Sequence, residues 1–120
     1  MIKTGNISDI NKKHKDWFLG TFVEEETFNT KGSNDFEVKW SKRKKGYFHP
    51  PKEKIVANKT CQSMAICVYG KFLYSFIQDS DTYQEYILKK EGDFIYWTPD
   101  INHKVEAFED SLILTIRWYK

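Results

Sequence analysis

Three histidines, two cysteines and a few charged residues on strand-like faces are where chemistry could reside in this chain. His103 follows a turn over Pro99 to Asn102 and opens the run His103 to Phe108, so a fixed turn delivers an imidazole to the start of a strand. Such a group can act as a general base, with Tyr74 or Tyr96 as its partner acid. His49 precedes Pro50-Pro51 and could swing toward His103, with Cys61 or Gln62 as a soft or weak ligand nearby. A transition metal needs three or four protein ligands, so no metal is expected, and His103 with His49 would hold one if any does. His14 lies in a polar stretch and reads as solvent-exposed. Cys61 and Cys67 fall in one strand-like run, roughly 20 Å apart at the strand rise, which puts them beyond disulfide reach. No histidine stands at a spacing that would activate either, and both read as small buried hydrophobes in a reducing compartment.

A second group is polar. Glu37 and Lys39 share one face of the alternating run Phe36 to Trp40, and Arg117 interrupts the apolar run Leu112 to Trp118. They form either a solvated face with a cross-strand ion pair, or the wall of a pocket in which Arg117 reads an anionic ligand group. Trp40, Trp97 and Trp118 are candidates for core, pocket wall or subunit interface.

The elements that must position these residues are short strands. Nine Phe, seven Tyr and four Trp bring the aromatic share to 17%, which favours pleated, half-buried strands. Trp17 to Val23 is the first strand candidate, after a polar segment over residues 1–15 with room for one helical turn past Ser8. Residues 24–35 read as a loop or a frayed edge strand. Phe36 to Trp40 alternates cleanly, and the basic run Lys42 to Lys45 reads as a solvated turn ending at Gly46, with an anion or acidic-partner contact as the alternative. Cys61 to Tyr69 and Lys71 to Ile77 form the strongest strand pair, hinged near Gly70. Turns at Asp79-Ser80-Asp81, Lys89 to Asp93, Pro99 to Asn102 and Glu109 to Ser111 separate Tyr83 to Leu88, Phe94 to Thr98, His103 to Phe108 and Leu112 to Tyr119. Evenly spaced short strands with turn residues between them predict a closed or sandwiched antiparallel sheet.

Bulk properties narrow the function classes. A chain of 120 residues fits one domain. Its 19 basic and 17 acidic residues give a net charge of +2, which argues against a dedicated nucleic-acid binder. No stretch is long and apolar enough for a signal peptide or a membrane span, so a cytoplasmic location is expected and the Asn6 and Asn58 sequons read as chance matches.

The segment Gly92-Asp93-Phe94-Ile95-Tyr96-Trp97-Thr98-Pro99-Asp100-Ile101-Asn102-His103 resembles the second motif of cupins: glycine, acidic residue, short strand, proline, turn, histidine. The resemblance implies an all-β, double-stranded β-helix or jelly-roll barrel over residues 1–120, with His103 facing its interior. The first cupin motif, a His-x-His pair and a Glu ahead of a glycine, is degenerate. Counted back from Gly70, its Glu position falls on Ser63 and its histidines around Ala57 to Lys59, none of them a family ligand. Family spacing turns Cys61, Ser63, Ala65 and Cys67 inward, whereas hydrophobicity favours Gln62, Met64, Ile66 and Val68. A one-residue shift exchanges the two sets. A bulge, or an outer face buried in a dimer, would reconcile them.

Two functions follow from this. The first is a small cupin that binds a small polar ligand in its barrel without the usual metal, either with no chemistry or with metal-independent chemistry such as sugar epimerisation or isomerisation. His103 is its candidate base, and Glu37, Lys39, Ser63, Tyr74, Tyr96 and Arg117 are its candidate ligand contacts. The second is a metal-dependent dioxygenase or isomerase with an atypical site on His103 and His49. A homodimer is expected in both, since the aromatic-rich strands of a small barrel need cover, and a scaffold role is a third reading. The fold alone does not choose among them.

Overall fold

The computed structural model describes residues 1–51, 60–78, 82–99 and 101–120. The expected turn at 79–81, the first-motif histidine positions at 57–59, Asn58 of the second sequon and Asp100 lie outside the described residues. Among the described residues, nine strands form two antiparallel sheets. The five-stranded sheet runs, edge to edge, β1 (Ile2–Asn6), β7 (Asp93–Trp97), β4 (Cys61–Tyr69), β9 (Ser111–Tyr119) and β2 (Phe36–Arg43). The four-stranded sheet runs β3 (Phe48–His49), β8 (His103–Ala107), β5 (Phe72–Ile77) and β6 (Tyr83–Leu88). Spatial neighbours are mostly distant in sequence, as in a jelly roll. No helix among the described residues is long and apolar enough to cross a membrane.

The alternation of side chains along each strand builds two separate apolar layers. Ala65 and Cys67 of β4, Ile95 and Trp97 of β7 and Ile113 of β9 face Phe72, Tyr74 and Phe76 of β5 across the interior. The intervening residues, Met64, Ile66, Phe94, Tyr96, Ile116 and Trp118, form a second buried layer on the outer face of the same sheet. The inward set on β4 is therefore the one the cupin spacing implies. Its outer set is apolar because this chain covers it with its own residues: Val23 and Phe28 are buried there, and Ile7, Ile10, Phe18 and Leu19 pack alongside. Phe28 meets Phe94 edge-on at 5.4 Å, the geometry aromatic quadrupoles prefer. The ladder between β4 and β9 also shifts register between Cys67 and Tyr69, a bulge just before the hairpin.

The N-terminal third differs from the sequence expectation. Residues 17–23 do not join a sheet; they belong to the cover, where Gly20 bridges to Asn29 and the Asn29 side-chain amide donates to the Thr21 and Val23 carbonyl oxygens. The first strand is instead Ile2–Asn6, whose partner β7 lies about ninety residues away. A short helix, α1 (Ile7–Asn11), follows with Asn6 as its N-cap, close to where a helical turn is expected. The basic run also behaves differently. β2 continues through Lys42 and Arg43 because both still pair with β9, opposite Leu112 and Ser111, and the turn begins only at Lys44.

Two turns depend on glycine. Gly70 closes the β4–β5 hairpin with φ +106°, and a Cβ there would strike Ser111 Oγ and come within 2.6 Å of the Asp110 carbonyl oxygen. Gly92, at φ +87°, ends the turn into β7. Both dihedrals lie where side chains are strained.

Candidate functional site

The segment leading to His103 is fixed at both ends. Beyond Gly92, the Asp93 carboxylate accepts from the backbone N–H of Lys90 (3.0 Å) and Lys89 (3.2 Å) and from Asn6 Nδ2 (3.0 Å). Partial burial pushes this carboxyl up, but the three donors outweigh it and hold it below the ordinary aspartate range. β7 then runs to Trp97, and a turn follows in which Asn102 Oδ1 accepts the His103 N–H at 2.8 Å. His103 enters β8 opposite Phe76, facing the interior. Its ring lies 5.0 Å from Trp97, 5.4 Å from Phe76 and 5.8 Å from Tyr74, centroid to centroid.

A cavity of about 400 Å³ opens between the sheets on the side where the edge strands β2 and β3 face each other. One wall carries His49, Tyr74 and His103. His49, opposite Val105, shares the inward face of its strand. Its Nδ1 lies 2.6 Å from the Pro50 carbonyl oxygen. A carbonyl only accepts, so Nδ1 is the donor in this contact. The other wall comes from β2 and β9: Lys39, Ser41 and Arg43 at alternate positions, with Thr115 and Arg117. Arg43 lies over the Tyr47 ring, 4.6 Å from its centroid.

The sequence candidates separate into those that meet and those that do not. His103, His49, Lys39, Tyr74 and Arg117 share this cavity. Glu37 lies in an adjoining recess of about 110 Å³ with Lys39 and Arg117, and its carboxylate accepts from the Tyr119 hydroxyl at 3.1 Å. Tyr96 stands apart: it belongs to the outer layer, donates its hydroxyl to Gln62 Oε1, and is raised above the ordinary tyrosine range by burial. Ser63 sits on the inward register of β4, buried between Trp97 and Arg117 in the ladders and 3.8 Å from Cys61 Sγ, but it is not a cavity wall. Among the tryptophans, Trp97 is cavity wall, Trp118 is buried in the outer layer and Trp40 is exposed. Ser41, which sequence reasoning missed, and Arg43, which it placed in a basic turn, continue the alternation of Glu37 and Lys39. Extending that pattern by two pairs would have found them.

Tyr74 is the most constrained polar group of the site. It is 4% exposed and packed against Phe76, Trp97 and His103, and its hydroxyl makes no hydrogen bond to the described residues. Burial raises its pKa above the ordinary tyrosine range, so it stays a neutral donor. Cys67, beneath it, is pushed up to about 11 by burial and then by Asp93.

Among the described residues the donor set does not fit the cupin metal. Ser63 stands where the family carboxylate would be, residues 57–59 supply no histidine in sequence, and no three His, Cys, Asp or Glu side chains converge among the described residues. Among the described residues, two imidazoles on one wall fall short of the three or four ligands a retained ion requires.

No protein-family model and no curated protein sequence matches this chain, whereas solved structures do. The two facing antiparallel sheets, with a histidine delivered to the cavity by the β7–β8 turn, define a double-stranded β-helix barrel. The chain has the cupin fold. The WlaRB TDP-quinovose 3,4-ketoisomerase from Campylobacter jejuni superposes with a TM-score of 0.61 at 13% identity, over 87% of this chain and 72% of that one. KdgF from Halomonas sp. does so at 0.56 and 18% identity, over 72% of this chain and 71% of its own. The rmlC epimerase of Mycobacterium tuberculosis gives 0.54 at 17% identity, and the match spans 68% of this chain but only 44% of that protein. At these identities the likeness concerns the fold.

Proposed function

We propose that residues 1–120 act as a single barrel domain that binds a small polar ligand between its sheets without the usual cupin metal. One observation carries the reading: a cavity of about 400 Å³, the size of a small-ligand site, whose walls combine flat aromatic rings with convergent polar groups. Any chemistry there would be metal-independent, with His103 as base and Tyr74 as neutral acid on the same wall. Sugar epimerisation or isomerisation suits such a pair, and the fold is shared with proteins named as an epimerase and a ketoisomerase. Two free thiols, Cys61 and Cys67, support a reducing, cytoplasmic setting. Thermal unfolding of wild type and His103→Ala against a panel of sugars and small acids tests this reading. A ligand-dependent rise in Tm that His103→Ala loses is expected, and a wild type stabilised by nothing in the panel would remove it.

The metal-dependent dioxygenase or isomerase is favoured by one fact, that His49 and His103 line the same cavity. Elemental mass spectrometry after incubation with iron, manganese, zinc and nickel separates the two readings. Near-stoichiometric retention of one metal would establish this second reading, and its loss in both His49→Ala and His103→Ala would assign the ligands.

A homodimer joins the proposal, with the outer face of β2 as its surface. Phe36, Val38 and Trp40 are 53%, 60% and 59% exposed on an eight-residue edge strand, where a second copy could pair edge to edge about a two-fold axis. Sedimentation velocity should give a dimer for wild type and a monomer for Trp40→Glu. A monomeric wild type at micromolar concentration would withdraw the dimer.

A further inference from the structure

We infer that the ligand of this cavity is an organic anion, its negative group held at Lys39 and Arg117 and its body lying against Trp97 and Tyr74. The inference rests on the ligand-binding reading above and narrows it to a charge class. Three cationic side chains, Lys39, Arg43 and Arg117, line the cavity, and no carboxylate does so among the described residues. Glu37, directly across the ladder from Arg117, is bonded to the Tyr119 hydroxyl. Arg117 itself forms no ion pair or hydrogen bond with the described residues, so its five donors stay available in the fork geometry that matches a carboxylate or phosphate.

Lysines and arginines on an open sheet face are often only solvated, and alone they would not identify a ligand. Tyr74 supplies the independent observation. Its side chain is buried yet lines the cavity, and its hydroxyl has no partner among the described residues. The hydroxyl therefore opens on the cavity with its donor unused by the described residues, where a ligand oxygen can accept it. The donor and the cations thus converge on one volume from opposite walls. That volume is larger than a bare oxyanion needs, and the Trp97 and Tyr74 rings offer a flat apolar surface for an organic body. Cationic compounds are disfavoured by three like charges along the cleft, and neutral ones leave the Arg117 guanidinium without a counter-charge from the described residues.

Matched pairs test the assignment: glucuronate and glucose 6-phosphate against glucose, and benzoate against benzamide, with inorganic phosphate alone as the bare ion. Affinities come from isothermal titration, with tryptophan fluorescence as the second readout. At least one acid should bind about tenfold or more tighter than its neutral partner, and added salt should weaken it. Arg117→Gln and Lys39→Gln should each remove most of that preference with little change in Tm, since both side chains are exposed. The carboxylate and phosphate arms show which oxyanion the site takes. Neutral compounds binding as tightly as their acids would overturn the anion assignment and leave the ligand reading standing. So would an acid preference that survives both substitutions. Inorganic phosphate binding as tightly as glucose 6-phosphate would overturn the organic body. No binding of any compound at millimolar concentration would remove both readings together.

Discussion

Gly70→Ala and Gly46→Ala together separate two costs that usually arrive mixed. Both glycines have positive φ, +106° and +90°, so either alanine meets the same kind of backbone strain. At Gly46 nothing lies within 4 Å of the added Cβ, and the strain stands alone at about 1–2 kcal/mol. At Gly70 the Cβ also meets Ser111 Oγ, and the Asp110 carbonyl oxygen and Ser111 Cα both lie 2.6 Å away. Two of those atoms are backbone at the start of β9, so relief requires moving a strand that pairs with both β4 and β2. Such overpacking adds roughly 1–3 kcal/mol, giving about 2–5 kcal/mol for Gly70→Ala. For a domain of this size each kcal/mol lowers Tm by about 4 °C, so the shifts should be about 4–8 °C at Gly46 and about 8–20 °C at Gly70. Scanning calorimetry of the three proteins at one concentration reads both. Gly70→Ala melting within about 3 °C of Gly46→Ala would refute the claim that the hairpin is sterically locked against β9.

Tyr74→Phe removes a hydroxyl that has no partner among the described residues, so chemical unfolding should show unchanged or slightly raised stability while ligand affinity falls about five- to tenfold; a clear loss of stability would mean the hydroxyl is bonded inside the fold. Cys67 is fully buried and pushed up to about 11, whereas Cys61 is half-buried, so a thiol reagent at neutral pH should label at most one cysteine quickly in the native protein and both in guanidinium; two fast thiols would contradict the β4 register. Asp93 is depressed below its unfolded value, so its contribution is complete above the ordinary aspartate pKa and declines as pH falls through the lower folded one. Asp93→Asn should therefore be less stable than wild type at pH 7 in urea unfolding, and the gap should narrow by about pH 3; a gap independent of pH would refute the charge argument.

The β7–β8 half of the site was legible because local residues dictate it: Gly92 needs its dihedral, Asp93 collects turn N–H groups, and Asn102 orients the backbone at His103. The register of β4 was not, because period-two reasoning needs one apolar face and one polar face, and here both are buried. Met64 and Ile66 are apolar for the sake of Val23 and Phe28, whose role as cover leaves no periodic trace in the sequence. The same cover explains why residues 17–23 look like a strand: their aromatic and apolar side chains serve an irregular cap. Ile2–Asn6 shows the reverse, a strand with little apolar content that exists through its ladder with β7. On β2 the polar side chains were recognised as a shared face, but the basic run hid that the face extends to Arg43.

The pairing of β2 with β9 also sets an order of assembly. β2 ends at Arg43 and its partner begins at Ser111, so at about 5–20 residues per second a growing chain carries an unpaired β2 for roughly 3–14 s. β1 waits longer still for β7. Neither strand can be stabilised locally, and the loop-closure entropy falls due before the long-range contacts that offset it form. Folding is therefore expected to be slow and concerted, with Phe36, Val38 and Trp40 open to chaperones during synthesis.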